Sequence, residues 1–209
     1  MELPTRLIAI ESSRIHLVHT TDLNISATEP PRYLALSYTW GDKKVHQRYL
    51  TTKDNFEQHC EAIPRGSLPG VFVDALKVTE DLGVKYLWID ALCIVQEQGG
   101  DWEVEAERMH ATFSGAYCVL AASRCLGTSD RFLKDRLQPQ SATFHDRGLA
   151  FSEDIDDFQL DVIEGSLNKR GWVLQERALA RRTIYFAERQ TYWECGHGVR
   201  CETLTKMTK

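Results

Sequence analysis

Carboxylates placed beside indoles are the side chains of this sequence best suited to chemistry. In Asp101-Trp102-Glu103-Val104-Glu105 a helix opened by Asp101 turns roughly 100° per residue, so Trp102, Ala106, Met109 and Phe113 share one core-facing stripe. Glu103 and Glu107 point into solvent, whereas Glu105 lies about 60° from Trp102, at the edge of the stripe. A carboxylate there can face the crevice beyond the strand ends, where open α/β folds bind ligands. It can equally do no more than answer the positive end of the helix dipole. On spacing alone the dipole role is the weightier.

Three further groups are candidates to meet it. Ser37-Tyr38-Thr39-Trp40-Gly41-Asp42 brings a hydroxyl, aromatic rings, a flexible glycine and a carboxylate out of a buried strand together. Asp90, inside the apolar run Trp88-Ile89-Asp90-Ala91-Leu92-Cys93 and followed by Gln96, needs a partner because an unpaired buried charge is costly. Either an arginine pairs with it in the core, or it forms the polar wall of a ligand site; the two readings stand even. Arg170-Gly171-Trp172-Val173-Leu174-Gln175-Glu176-Arg177 concentrates guanidinium, indole and amide groups. Arginine forks suit phosphates and carboxylates. They also suit a structural clasp to Asp90 or Glu105.

The elements that position these residues read as α/β. Arg6–Glu11 and Arg14–His19 are short strands around a Ser-Ser turn. Tyr33–Trp40, Lys85–Gln96 and Tyr117–Ala122 are buried strands, separated by helices over Val71–Leu82 and from Asp101 to about Ser114. That alternation predicts a mostly parallel sheet with crossover helices. The acids between Glu153 and Glu164 read as a solvated face, and Arg170 to Cys201 as short aromatic-rich strands.

Composition bounds the function. The 209 residues carry a net charge of −5, against a wholesale nucleic-acid binder, and Arg181-Arg182 is too short for a nucleic-acid patch. Met1-Glu2-Leu3-Pro4 is not a secretory start, and Val84–Val95, broken by Lys85 and Asp90, is too short for a membrane span. Cys195, His197 and Cys201 lack a fourth ligand and zinc-site spacing, so no metal is expected, and the six cysteines read as reduced thiols of a cytoplasmic protein. No GxGxxG, P-loop, GxSxG or HExxH pattern is present.

Taken in order, Tyr33–Gly41, Leu68-Pro69 with Asp74-Ala75, Tyr86–Gln96, Asp101-Trp102 with Glu105 and Met109, Arg170–Arg177 and Trp193–Cys195 resemble the heterokaryon incompatibility (HET) domain of filamentous fungi. Phe113 stands where that family usually has tyrosine, and Gly115 near a common asparagine. Many members continue into other domains, which implies an excised module or a short member. The resemblance implies one domain over 1–209, with a TIR-like (flavodoxin-like), mostly parallel core at about 30–125 and β-rich N- and C-terminal additions, the latter at about 165–203.

Several TIR domains cleave NAD at the nicotinamide–ribose bond, using a glutamate in a Trp-Cys-x-x-Glu pattern. Trp102-Glu103-Val104-Glu105 is similar to it, with Glu103 in place of the cysteine. The resemblance therefore implies an NAD glycohydrolase acting in programmed cell death, with Glu105 catalytic. Ser37, Tyr38, Trp40, Gly41, Asp42, Asp90, Gln96 and Trp102 would line the site, and Arg170 or Arg177 would meet the pyrophosphate. No cofactor is required, since NAD is the substrate. The alternative is a non-enzymatic death-signalling or assembly module. Self-association, and a sensor domain or incompatibility partner protein, are the implied partners, with no DNA and no membrane span.

Overall fold

The computed structural model describes residues 2–23, 30–136, 141–144, 149–152, 156–169, 171–202 and 206–207. Nine strands form one sheet. They are β1 (Arg6–Ile10), β2 (Ile15–His19), β3 (Tyr33–Ser37), β4 (Tyr86–Trp88), β5 (Cys118–Ala121), β8 (Arg182–Phe186), β9 (Thr191–Cys195), β10 (Gly198–Cys201) and β11 (Lys206–Met207). A separate hairpin is made by β6 (Ser141–Phe144) and β7 (Leu149–Ser152). The helices are α1 (Lys43–His46), α2 (Lys53–Glu61), α3 (Gly70–Asp81), α4 (Asp90–Cys93), α5 (Trp102–Gly115) and α6 (Gly171–Leu179).

The sheet order is β11-β10-β9-β8-β5-β3-β4-β1-β2. Only the central pairings β8-β5, β5-β3 and β3-β4 are parallel; the flanking pairings are antiparallel. The sheet is thus mixed and mostly antiparallel, which corrects the expectation of a mostly parallel one. Crossover helices produce parallel neighbours in the centre, while hairpins at both ends, such as Glu11–Arg14 and Glu188–Gln190, can only add antiparallel strands. The fourth parallel strand, β8, comes from beyond residue 125, so one sheet runs through the core and the C-terminal strands.

Alternation along β3 sorts the helices onto two faces. The Tyr33 hydroxyl donates to the Thr112 carbonyl of α5 (2.6 Å) and the Ser37 hydroxyl to Glu176 of α6 (2.5 Å), so these odd-numbered residues face the packed pair α5 and α6. Tyr38 turns to the other side and meets Phe72 of α3 edge-on at 5.3 Å. Leu34, Ala35, Leu87, Trp88 and Leu120 are sealed between the layers. The helix α3 stops where Gly83 takes φ +66°, the left-handed conformation a helix exit favours.

Two segments differ from their expected elements. The run Lys85–Gln96 is extended only over β4, because at Asp90 the side chain accepts from the Ala91 amide (2.7 Å) and the chain turns into α4. The Arg170–Arg177 cluster belongs largely to helix α6 rather than to a strand. Nor is the acidic stretch merely solvated. Asp161 is half-buried with its carboxylate shielded, accepting from the Tyr192 hydroxyl (2.6 Å) and the Arg189 guanidinium (2.8 Å), and it ties that stretch to β9.

Candidate functional site

The carboxyl ends of β3 and β4 open into a pocket of about 220 Å³ roofed by α5 and α6. Its wall is aromatic: Tyr38, Trp40, Trp88, Trp102 and Phe113, with Leu36, Ala106 and Met109. Among the described residues its polar groups are Ser37 and two carboxylates, Asp90 and Glu176, and no basic side chain lines it. Such a space attracts a flat, positively charged ring, since indole faces and carboxylates both favour a cation.

Asp90 is held without an arginine among the described residues. Its carboxylate accepts from the Tyr38 hydroxyl (2.8 Å), the Trp40 indole N–H (2.9 Å) and the Ala91 amide (2.7 Å). The core ion pair with an arginine is therefore not what holds Asp90 among the described residues; its hydrogen bonds fix the two rings instead. The Trp40 indole also stacks on His46 at 4.1 Å. Trp88 is buried, and its indole N–H has no hydrogen-bond partner among the described residues. An orphan donor beside a cavity is a place for a ligand acceptor.

Of the residues expected in the site, Ser37, Tyr38, Trp40, Asp90 and Trp102 come together. Gly41, Asp42 and Gln96 do not line the pocket. Gly41 makes the turn beneath it at φ +71°, where a Cβ would fall 2.7 Å from the Gly127 Cα. Asp42 caps α1 through the Lys44 amide (2.7 Å). Gln96 donates to the Asp90 carbonyl (3.0 Å) and braces α4. Arg177 is also elsewhere: it pairs with Glu194 at 3.2 Å and lies over the Phe158 ring. Its guanidinium is thus engaged by a carboxylate and an aromatic face rather than placed in the pocket lining. Arg170 lies outside the described residues.

Glu105 is the main displacement. It is buried, but it faces the N-terminal strand rather than the pocket: the Thr5 hydroxyl donates to it at 2.5 Å, and Arg108 stands 4.0 Å away. One turn earlier, Asp101 pairs with Arg6 of β1 and accepts from the Val95 amide (2.9 Å). Together these bonds strap β1 to the start of α5.

Sequence reasoning missed Glu176, although the signal was present. In Trp-Cys-x-x-Glu the glutamate follows the tryptophan by four residues; Glu176 follows Trp172 by four, whereas Glu105 follows Trp102 by three. The stripe of α5, by contrast, points as its periodicity requires, with Trp102, Ala106, Met109 and Phe113 all lining the pocket.

Among the described residues no helix is long and apolar enough to cross a membrane. No curated protein and no solved structure matches the chain. The family model for heterokaryon incompatibility protein (HET) matches residues 33–176, from the first residue of β3 to the pocket carboxylate Glu176. That span is more than half of the chain, and the chain belongs to the heterokaryon incompatibility (HET) family.

Proposed function

We propose that the pocket binds the nicotinamide end of NAD and breaks the bond between nicotinamide and ribose, as the effector step of a cell-death response. Family membership supports the heterokaryon incompatibility and cell-death role. The observation that carries the chemistry is the lining itself: three indoles and two carboxylates, with no base among the described residues. Nicotinamide in NAD is a flat cation of the kind such a lining favours. A cavity of about 150 Å³ holds a benzene ring, so 220 Å³ accommodates one flat heterocycle and the start of a sugar, leaving the phosphates outside.

In this reading Glu176 is the catalytic carboxylate, not Glu105. As the C1′–N bond breaks, its electron pair neutralises the departing nicotinamide and positive charge builds on the ribose. A fixed carboxylate beside that carbon stabilises the charge until water adds to C1′ and loses its proton. Ser37, bonded to Glu176, holds it in place. Asp90 acts through Tyr38 and Trp40, whose orientation it sets. The orphan N–H of Trp88 is a donor for the carboxamide oxygen. Nicotinamide already leaves as a neutral molecule, so this route needs no cofactor.

The order of the central strands supports the TIR-like part of the reading. Numbered along the chain, β4-β3-β5-β8 run 2-1-3-4, as flavodoxin-like sheets begin, and ligands bind such folds beyond the carboxyl ends of the strands. The test is nicotinamide release from NAD by wild-type protein and Glu176→Gln, at low and high protein concentration. Release by the wild type that is lost in a folded variant is expected. Release confined to high concentration would identify self-association as the gate. No release at any concentration would assign the domain to assembly rather than catalysis.

A further inference from the structure

The opposite end of the parallel core carries a second, chemically inverse site. The residues at the amino ends of the four parallel strands stand side by side: Lys85 before β4, Arg32 before β3, Tyr117 before β5, and Arg181 with Arg182 at the start of β8. They line a groove of about 750 Å³. Among the described residues no acidic side chain is in its lining, and none of these cations has a carboxylate within ion-pair distance. Lys85, Arg32 and Arg181 are exposed. Arg32 and Arg182 lie 5.1 and 5.0 Å from the centroid of the Tyr117 ring, so one ring holds two guanidinium groups close together.

Helix dipoles account for only part of this charge. The groove also receives the C-terminal ends of α3 and α5, at Leu82–Gly83 and Gly115–Ala116. Each helix end contributes about half a negative charge. Against four unit cations, that leaves roughly three positive charges unanswered. Arg181-Arg182 alone is too short a run to be a patch; the sheet makes it one by adding Arg32 and Lys85 from segments distant in sequence.

We infer that this groove binds an oligophosphate anion, either free or as the phosphate chain of a nucleotide. Several guanidinium groups and an ammonium in one open row match the spaced charges of linked phosphates, with the arginine forks engaging them in pairs. The site is independent of NAD cleavage, since it lies at the other end of the sheet. Its position gives it a mechanical consequence: the groove holds the exit of α5 and the chain just past α6, the two helices that roof the pocket.

Calorimetric titration of the whole chain with inorganic tripolyphosphate tests this, alongside ATP and a single-stranded oligodeoxynucleotide. Saturable one-to-one binding is expected, weakened about tenfold or more by raised salt. The double substitution Lys85→Gln with Arg181→Gln should weaken it at least as much while the melting temperature holds, and Arg32→Gln repeats the test independently. ATP binding more tightly than tripolyphosphate assigns the site to nucleotides, the reverse to free oligophosphate; both support it. No saturable heat, unchanged affinity in folded variants, loss of binding in Glu176→Gln, or tighter binding of the oligonucleotide would overturn the inference.

Discussion

Glu105 and Glu176 are the same kind of side chain, on two helices that pack against each other, each a turn or so after a tryptophan. Their neighbours differ. Glu105 is sealed against Thr5 and Arg108 and does not line the pocket. Glu176 is half-buried in an aromatic pocket, where the Ser37 hydroxyl donates to it. A buried carboxylate with a satisfied bond to a strand is a strut; in the proposed reading the partly open one among indoles is the reagent. One residue of helical spacing, about 100°, is enough to exchange the two roles.

The sharpest way to break this comparison is to neutralise the reagent. Glu176→Gln keeps the shape and should lower nicotinamide release by about 10²–10³-fold, the range for removing one preorganised group that stabilises transition-state charge. The fold should survive, because glutamine still accepts the Ser37 bond. Next in size is the pocket wall. Trp102 is 48% exposed, so Trp102→Ala should cost little stability. It removes a stacking face worth about 1–3 kcal/mol per ring, which steady-state kinetics should show as a raised KM with kcat nearly unchanged.

The strut should fail differently. Glu105→Gln removes the charge from a buried acceptor, a loss of about 1–3 kcal/mol. Thermal unfolding should show it as a drop of several degrees in Tm. Thr5→Val should reproduce part of that drop, since it removes the donor on the other side.

The smallest effect is on pH. His16 lies on β2 and His59 on α2, and α2 packs on β2. Burial is the main cause that holds both imidazoles below their ordinary value of 6.5; Arg14 adds to it at His16, with Glu11 opposing. As pH falls through 6.5 the unfolded chain takes up protons first, so stability present at pH 7 declines toward the lower folded-state values. A Tm series from pH 7.5 to 5.5 should fall modestly in the wild type, and by less in His16→Gln with His59→Gln. Ratios of activity between wild type and Trp102→Ala should not follow it.

Much of this arrangement is legible in the chain. Continuous apolar runs at Tyr33 and Tyr117 mark buried strands, and periodicity alone puts four residues of α5 on one inward stripe, which the fold brings to the pocket. What is not legible depends on contacts between distant segments. The strand expected through Asp90 ends there because Tyr38 and Trp40 lie fifty residues away in sequence and meet its carboxylate. The antiparallel flanks follow from tight hairpins at Glu11–Arg14 and Glu188–Gln190, which outweigh the α/β alternation of the centre. Arg177 is rich in possible partners, and only the fold shows that Glu194 takes it. The cationic groove is invisible in sequence for the same reason: Arg32, Lys85 and Arg182 become neighbours only when the strands they precede are laid in order.

The most direct test of the central claim is nicotinamide release measured side by side for Glu176→Gln and Glu105→Gln, each checked for native folding, at a concentration where the wild type turns over. The account predicts that Glu176→Gln is nearly inactive with a Tm close to wild type. It predicts that Glu105→Gln retains activity within a few-fold while melting lower. Loss of activity in a folded Glu105→Gln, with Glu176→Gln still active, would contradict it and return the catalytic role to the α5 carboxylate.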